Sequence, residues 1–130
     1  MKTIAKLLFP ALFLIAFSVP LLAHHGNAAY DYEKTVTLKG SVTEWMWANP
    51  HCFLKLDAPD EKGTVQHWTI EAGNIPGNTH EGWRKDTFKP GDQVTVDVMP
   101  ARNGAPIGRF RKVTLADGTV LTGGYIPGAK

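Results

Sequence analysis

The chain has 130 residues, with 14 Lys and Arg against 12 Asp and Glu and a net charge of +2. That length holds one domain with a modest core and leaves no room for two. The near balance of charge excludes the broad basic footprint of nucleic-acid binders, and one cysteine, Cys52, excludes an internal disulfide.

Residues 1–23 have the grammar of a cleavable signal peptide. Lys2 and Lys6 give a positive start, Leu7 to Leu22 is apolar except for Pro10, Ser18 and Pro20, and Ala23 offers a small residue at the cut. The apolar run of about 15 residues is short for the hydrocarbon core of a membrane. A cut after Ala28 is the alternative. With no cysteine near either cut, lipidation is not expected. Losing Lys2 and Lys6 takes the 14 basic residues to 12, matching the 12 acidic ones. The expected product is periplasmic, without stable membrane insertion. It has an N-terminal arm at 24–34 and one folded domain at 35–130.

After the arm, period-2 alternation dominates. Val36, Leu38, Gly40 and Val42 alternate with polar residues, which predicts a half-buried strand. Gly40 inside it suggests a bulge or bend. Asn49-Pro50 stops the strand, and a second runs from His51 to Asp57 with Cys52, Leu54 and Leu56 on one face. Ala58 to Gly63 is a polar turn, and Thr64 to Glu71 a third strand that completes a hairpin. Asn74 to Phe88 breaks alternation, so a loop and one short helix at Thr79–Asp86, with Thr79 as N-cap, are expected there. Lys89-Pro90-Gly91-Asp92 has the residues of a type II turn. Val94, Val96 and Val98 mark a fourth strand, and Arg102 to Gly108 is a connector. Arg109 to Leu115 is a fifth strand, Asp117-Gly118 a turn, and Thr119 to Leu121 a short sixth.

Three strands, a helix and two more strands is the order of a small five-stranded OB-like Greek-key barrel, a mainly β fold. An open sandwich-like sheet is the alternative. Several blocks stand out beside this order: His24-His25, Val36-x-Leu38-Lys39-Gly40-x-Val42, Trp47-x-Asn49-Pro50-His51, Gly82-Trp83, Lys89-Pro90-Gly91-Asp92-x-Val94-x-Val96 and Val113-x-Leu115-x-Asp117-Gly118. Together they resemble a family of small exported bacterial proteins known as a domain of unknown function. The resemblance implies a periplasmic single-domain protein and brings no activity with it. The family is usually more helical before Gly82-Trp83, where Ile75-Pro76-Gly77-Asn78 interrupts here.

A cut after Ala23 makes His24 the amino terminus, so its amine and imidazole can chelate one metal. A third nitrogen completes a T-shaped site of the kind copper takes. His51 is the first candidate for that nitrogen and His67 the second, with His25 beside His24. If the hairpin turn centres near Asp60-Glu61, Phe53 faces His67 and His51 faces Thr69. His51 and His67 are then diagonal neighbours roughly 7 Å apart. The same residues also have plain structural readings: His51 can order its turn, and Trp45, Trp47, Trp68 and Trp83 can all fill core. Cys52 alternates with Leu54 and Leu56 and reads as a buried hydrophobe. Arg102, Arg109, Arg111 and Lys112 form a weak basic patch.

No nucleophile or acid–base pattern points to an enzyme. A binding domain is expected instead, with copper as the cofactor and Trp45, Trp47, Asn49 and Phe53 on its ligand face. The alternative is a non-metal adaptor that docks on an envelope protein through those aromatics.

Overall fold

Alternation along the first strand decides how the others assemble. The computed structural model describes residues 29–123; the signal-peptide reading, His24 and His25 lie outside the described residues. β1 (Val36–Met46) serves two neighbours in turn. Val36–Ser41 pairs antiparallel with β4 (Gln93–Pro100), and Ser41–Met46 with β2 (Phe53–Pro59). β2 pairs with β3 (Val65–Glu71), and β4 with β5 (Ile107–Thr114). Parallel pairing of Thr69–Glu71 with Ile107–Arg109 then closes five strands into a barrel. β6 (Val120–Thr122) lies along the outer edge of β5. This is the expected OB-like barrel, with α1 (Ile75–His80) between β3 and β4.

Gly40 allows β1 to pass from one neighbour to the other, although not as a bulge. The register slip falls at Thr43, between Val42 and Glu44. At Gly40 the backbone of β2 comes so close that a Cβ would stand 2.3 Å from the Asp57 carbonyl oxygen. Inward residues Leu38, Val42, Leu54, Leu56, Ile70, Val96, Val98 and Val113 are buried. Trp83 and Phe88, from the segment after α1, cap this core. Trp83 is fully buried, meets Phe110 edge to face at 5.0 Å, and donates its indole N–H to the Thr122 carbonyl at 2.8 Å. A buried indole needs such an acceptor. Trp68 packs against the core from its rim. Cys52 is buried as expected, with Sγ 3.4 Å from the Ala48 carbonyl.

Two local expectations are corrected. The β2–β3 turn spans Asp60–Thr64, two residues later than the centre near Asp60-Glu61 would place it. The Asp60 carboxylate accepts the N–H groups of Lys62 and Thr64, and Gly63 takes φ +80°. Those interactions settle the turn, because an Asx-type contact and a left-handed glycine favour one loop over its neighbours. The backbone N–H of Thr64 is the main cause holding the Asp60 carboxyl below its ordinary range. The helix also starts earlier than Thr79. Asn74 is the N-cap and accepts the Gly77 N–H at 2.8 Å, and Pro76 sits in the first turn, where its missing N–H costs nothing. The residues read as an interruption are the helix itself. The type II turn at Lys89–Asp92 forms as expected, with Gly91 at φ +95° and Asp92 N–H on the Lys89 carbonyl.

Gly40→Ala should lower the stability of the domain by about 1–3 kcal/mol, the usual range for overpacking. An earlier midpoint in urea, with the slope unchanged, is the expected reading.

Candidate functional site

The Asn49-Pro50-His51 corner is fixed by hydrogen bonds on both sides of β2's start. Asn49 Oδ1 accepts the Ile75 N–H at 3.0 Å, at the first turn of α1. Cys52 N–H reaches the Gly73 carbonyl, and Ala72 N–H the Cys52 carbonyl. Asn78, fully buried, brackets Gly73 by accepting its N–H and donating to its carbonyl. His51 therefore leaves a corner that is tied to the helix, and it points to the outer face.

At this corner the face carries a short chain of polar contacts. His51 Nδ1 lies 2.6 Å from Glu71 Oε1, with side chains 38% and 15% exposed. The contact is off the line of the ring N–H, so it is a close electrostatic approach more than a well-aimed hydrogen bond. The other carboxylate oxygen, Glu71 Oε2, accepts the Tyr30 hydroxyl at 2.6 Å. Arg109 stands in register with Glu71 on β5. Pro50, His51, Phe53 and Glu71 line a small, mainly apolar cavity of about 210 Å³. Organic ligands usually occupy about 300–1,000 Å³, so this cavity suits an ion or a single side chain. A wider hollow of about 540 Å³ opens where β1 changes partners, between Lys39, Asp57 and Gln93. No imidazole or aromatic ring lines it.

Tyr30 reaches the site because the arm is pinned to the β4–β5 connection. Tyr30 bridges Ala101, and Asp31 N–H binds the Pro100 carbonyl. Arg102 donates to the carbonyls of Ala29 and Tyr30, from its backbone N–H and Nε, and Arg111 donates to that of Tyr32. Lys112 pairs with Asp97 at 3.3 Å. These members of the expected basic patch therefore hold the protein's own chain and its own carboxylate.

The expected pairing of His51 with His67 is corrected by the register. Phe53 faces Glu71 and Asp57 faces His67, so the two histidines are separated by about 20 Å of ladder at ~3.3 Å per residue. His67 Nδ1 instead meets Asp57 Oδ1 at 2.6 Å on the exposed surface. Among the described residues, no three His, Cys, Asp or Glu side chains converge as metal ligands. Trp45 and Trp47 are half-buried and pack on the core. Trp45 lies 5.0 Å from Phe88 and donates to the Arg84 carbonyl. Asn49 serves the helix, and Phe53 is half-buried in the cavity wall.

Sequence reasoning missed Tyr30 and Glu71. Alternation does put Glu71 on the face of His67 and Phe53, but only the register brings it to His51. No local signal marks Tyr30.

A barrel with an outward imidazole, a partly buried carboxylate and a strapped-on arm defines a small β-barrel domain with one compact polar site. Residues 11–110 match DUF6152, a family of unknown function, and the chain belongs to that family. No curated protein matches it. Among the described residues, no helix is long and apolar enough to cross a membrane.

Burial first, then the hydrogen bond and charge of Glu71, hold the Tyr30 hydroxyl well above the ordinary tyrosine range. A raised folded value gives stability that is fully present below about pH 10 and is lost as the pH rises beyond it, where unfolded Tyr30 ionises. Alkaline titration followed at 295 nm should show one of the three tyrosines still protonated well above pH 10. Tyr30→Phe should remove that late component.

Proposed function

We propose that this protein is an exported periplasmic binding domain, without catalysis of its own, whose ligand is a copper ion held between His51 and the amino-terminal His24. The observation that carries the reading is the attachment of the arm. Tyr30, six positions after His24, binds the same Glu71 carboxylate that His51 approaches, so the described part of the arm is tied to the His51 site. The residues between His24 and Tyr30 span at most about 20 Å, well within reach of that site.

The donor chemistry supports it. Glu71 occupies the Nδ1 side of His51, which leaves Nε2 as the ligating nitrogen. A carboxylate behind a metal-bound imidazole is the common arrangement at such centres. An amine and two imidazoles favour copper over hard cations. The small cavity fits an ion and not a large organic cofactor. His67 has no part in this centre, because its ladder position is remote and Asp57 holds it. The adaptor reading draws less support, since Trp45 is committed to the core and its N–H to Arg84.

The test uses protein exported and processed in a bacterial host, with its amino terminus determined by mass spectrometry. Copper titration watched by EPR should give one site with nitrogen hyperfine structure, and His51→Ala should weaken it by about tenfold or more. A mature chain beginning after Ala28, or unchanged binding in His51→Ala, overturns the proposal.

A further inference from the structure

Tyr30 and His51 both contact Glu71. Tyr30 Oη donates to Oε2 and His51 Nδ1 approaches Oε1, each at 2.6 Å. The carboxylate is mostly buried, and Arg109 beside it on β5 adds a positive charge to the same face. A carboxylate held from one side by a hydroxyl cannot turn freely. Its second oxygen is then fixed in place 2.6 Å from one nitrogen of the imidazole.

We propose that Tyr30 is a positioning residue: through Glu71 it fixes His51 as the Nδ1–H tautomer and so presents the Nε2 lone pair to the ligand. The reasoning is electrostatic. A ring-nitrogen lone pair 2.6 Å from a carboxylate oxygen is repelled, whereas an N–H there is attracted, even when the angle is not ideal. In a neutral imidazole the proton then sits on Nδ1, and Nε2 becomes the acceptor. Free histidine prefers the opposite tautomer, so this arrangement has to be imposed. The arm imposes it. Arm docking and ligand binding are thereby coupled, because each favours the same orientation of Glu71, and the coupling must act equally in both directions. The inference about the tautomer stands on the geometry; its effect on copper rests on the function proposed above.

The mature, full-length domain labelled with ¹⁵N-histidine and studied by long-range ¹⁵N–¹H NMR at about pH 8.5, above the ordinary imidazole range, separates the two. Loss of signals in His51→Gln assigns the residue. Wild type should show His51 with a protonated Nδ1 and a pyridine-like Nε2. Tyr30→Phe should shift the tautomer ratio toward Nε2–H by several-fold, and Glu71→Leu should shift it further. Because Glu71→Leu can also fail to fold, Tyr30→Phe is the deciding variant. An Nε2–H His51 in wild type, or a ratio unaltered in Tyr30→Phe, overturns the inference. In copper titrations Tyr30→Phe should weaken binding by about tenfold. If the tautomer behaves as expected and wild type takes up no copper, the positioning role stands and the copper reading falls. If copper binds equally well to wild type and Tyr30→Phe and the tautomer is unmoved, the positioning role falls and the copper reading stands.

Discussion

Three parallel residue pairs, Thr69 to Glu71 against Ile107 to Arg109, convert a sheet into a barrel. With one cysteine in the chain, nothing covalent can substitute for that closure. The site depends on it directly. The last pair brings Arg109 beside Glu71, and the β4–β5 connection that follows Pro100 is the bed on which the arm lies. Closing the barrel and bringing the arm's Tyr30 to Glu71 are consequences of the same pairing, while the β2–β3 register brings Glu71 to His51. Such non-local contacts are also entropically costly to form, because long loops must close before the contact energy is gained.

Much of the fold was legible because alternation is a strong signal in half-buried strands. Val36 to Val42, Leu54 to Ala58 and Val94 to Val98 alternate in sequence and are buried in alternation in the structure. Helix and turn positions were less legible. Asn74 and Pro76 are good residues for a first helical turn, but Gly77 obscured them. The β2–β3 loop depended on which N–H groups the Asp60 carboxylate would collect, and residue type alone does not give that.

The site was half legible for a related reason. The loop came two residues later than expected, an even shift. An even shift leaves every side chain on its own face and changes only its partner. His51, Phe53 and His67 therefore do share the outer face, and yet His51 meets Glu71 while His67 meets Asp57. Tyr30 was illegible altogether, since it lies 41 positions from Glu71 in a stretch without periodicity. What holds it is written in Ala101, Arg102 and Arg111, far along the chain.

That manner of holding has a further effect. Arg102 and Arg111 grip the arm by carbonyl oxygens, and the Ala101 bridge and the Pro100 contact also use main chain. Every amino acid offers the carbonyl, and every one but proline the N–H. The arm can thus be rewritten at much of its length and still be carried to the same place, while the barrel keeps its grip unchanged. A scaffold built this way separates delivery from content: β4 and β5 determine where the N-terminal segment arrives, and the residues within it are left to determine what arrives.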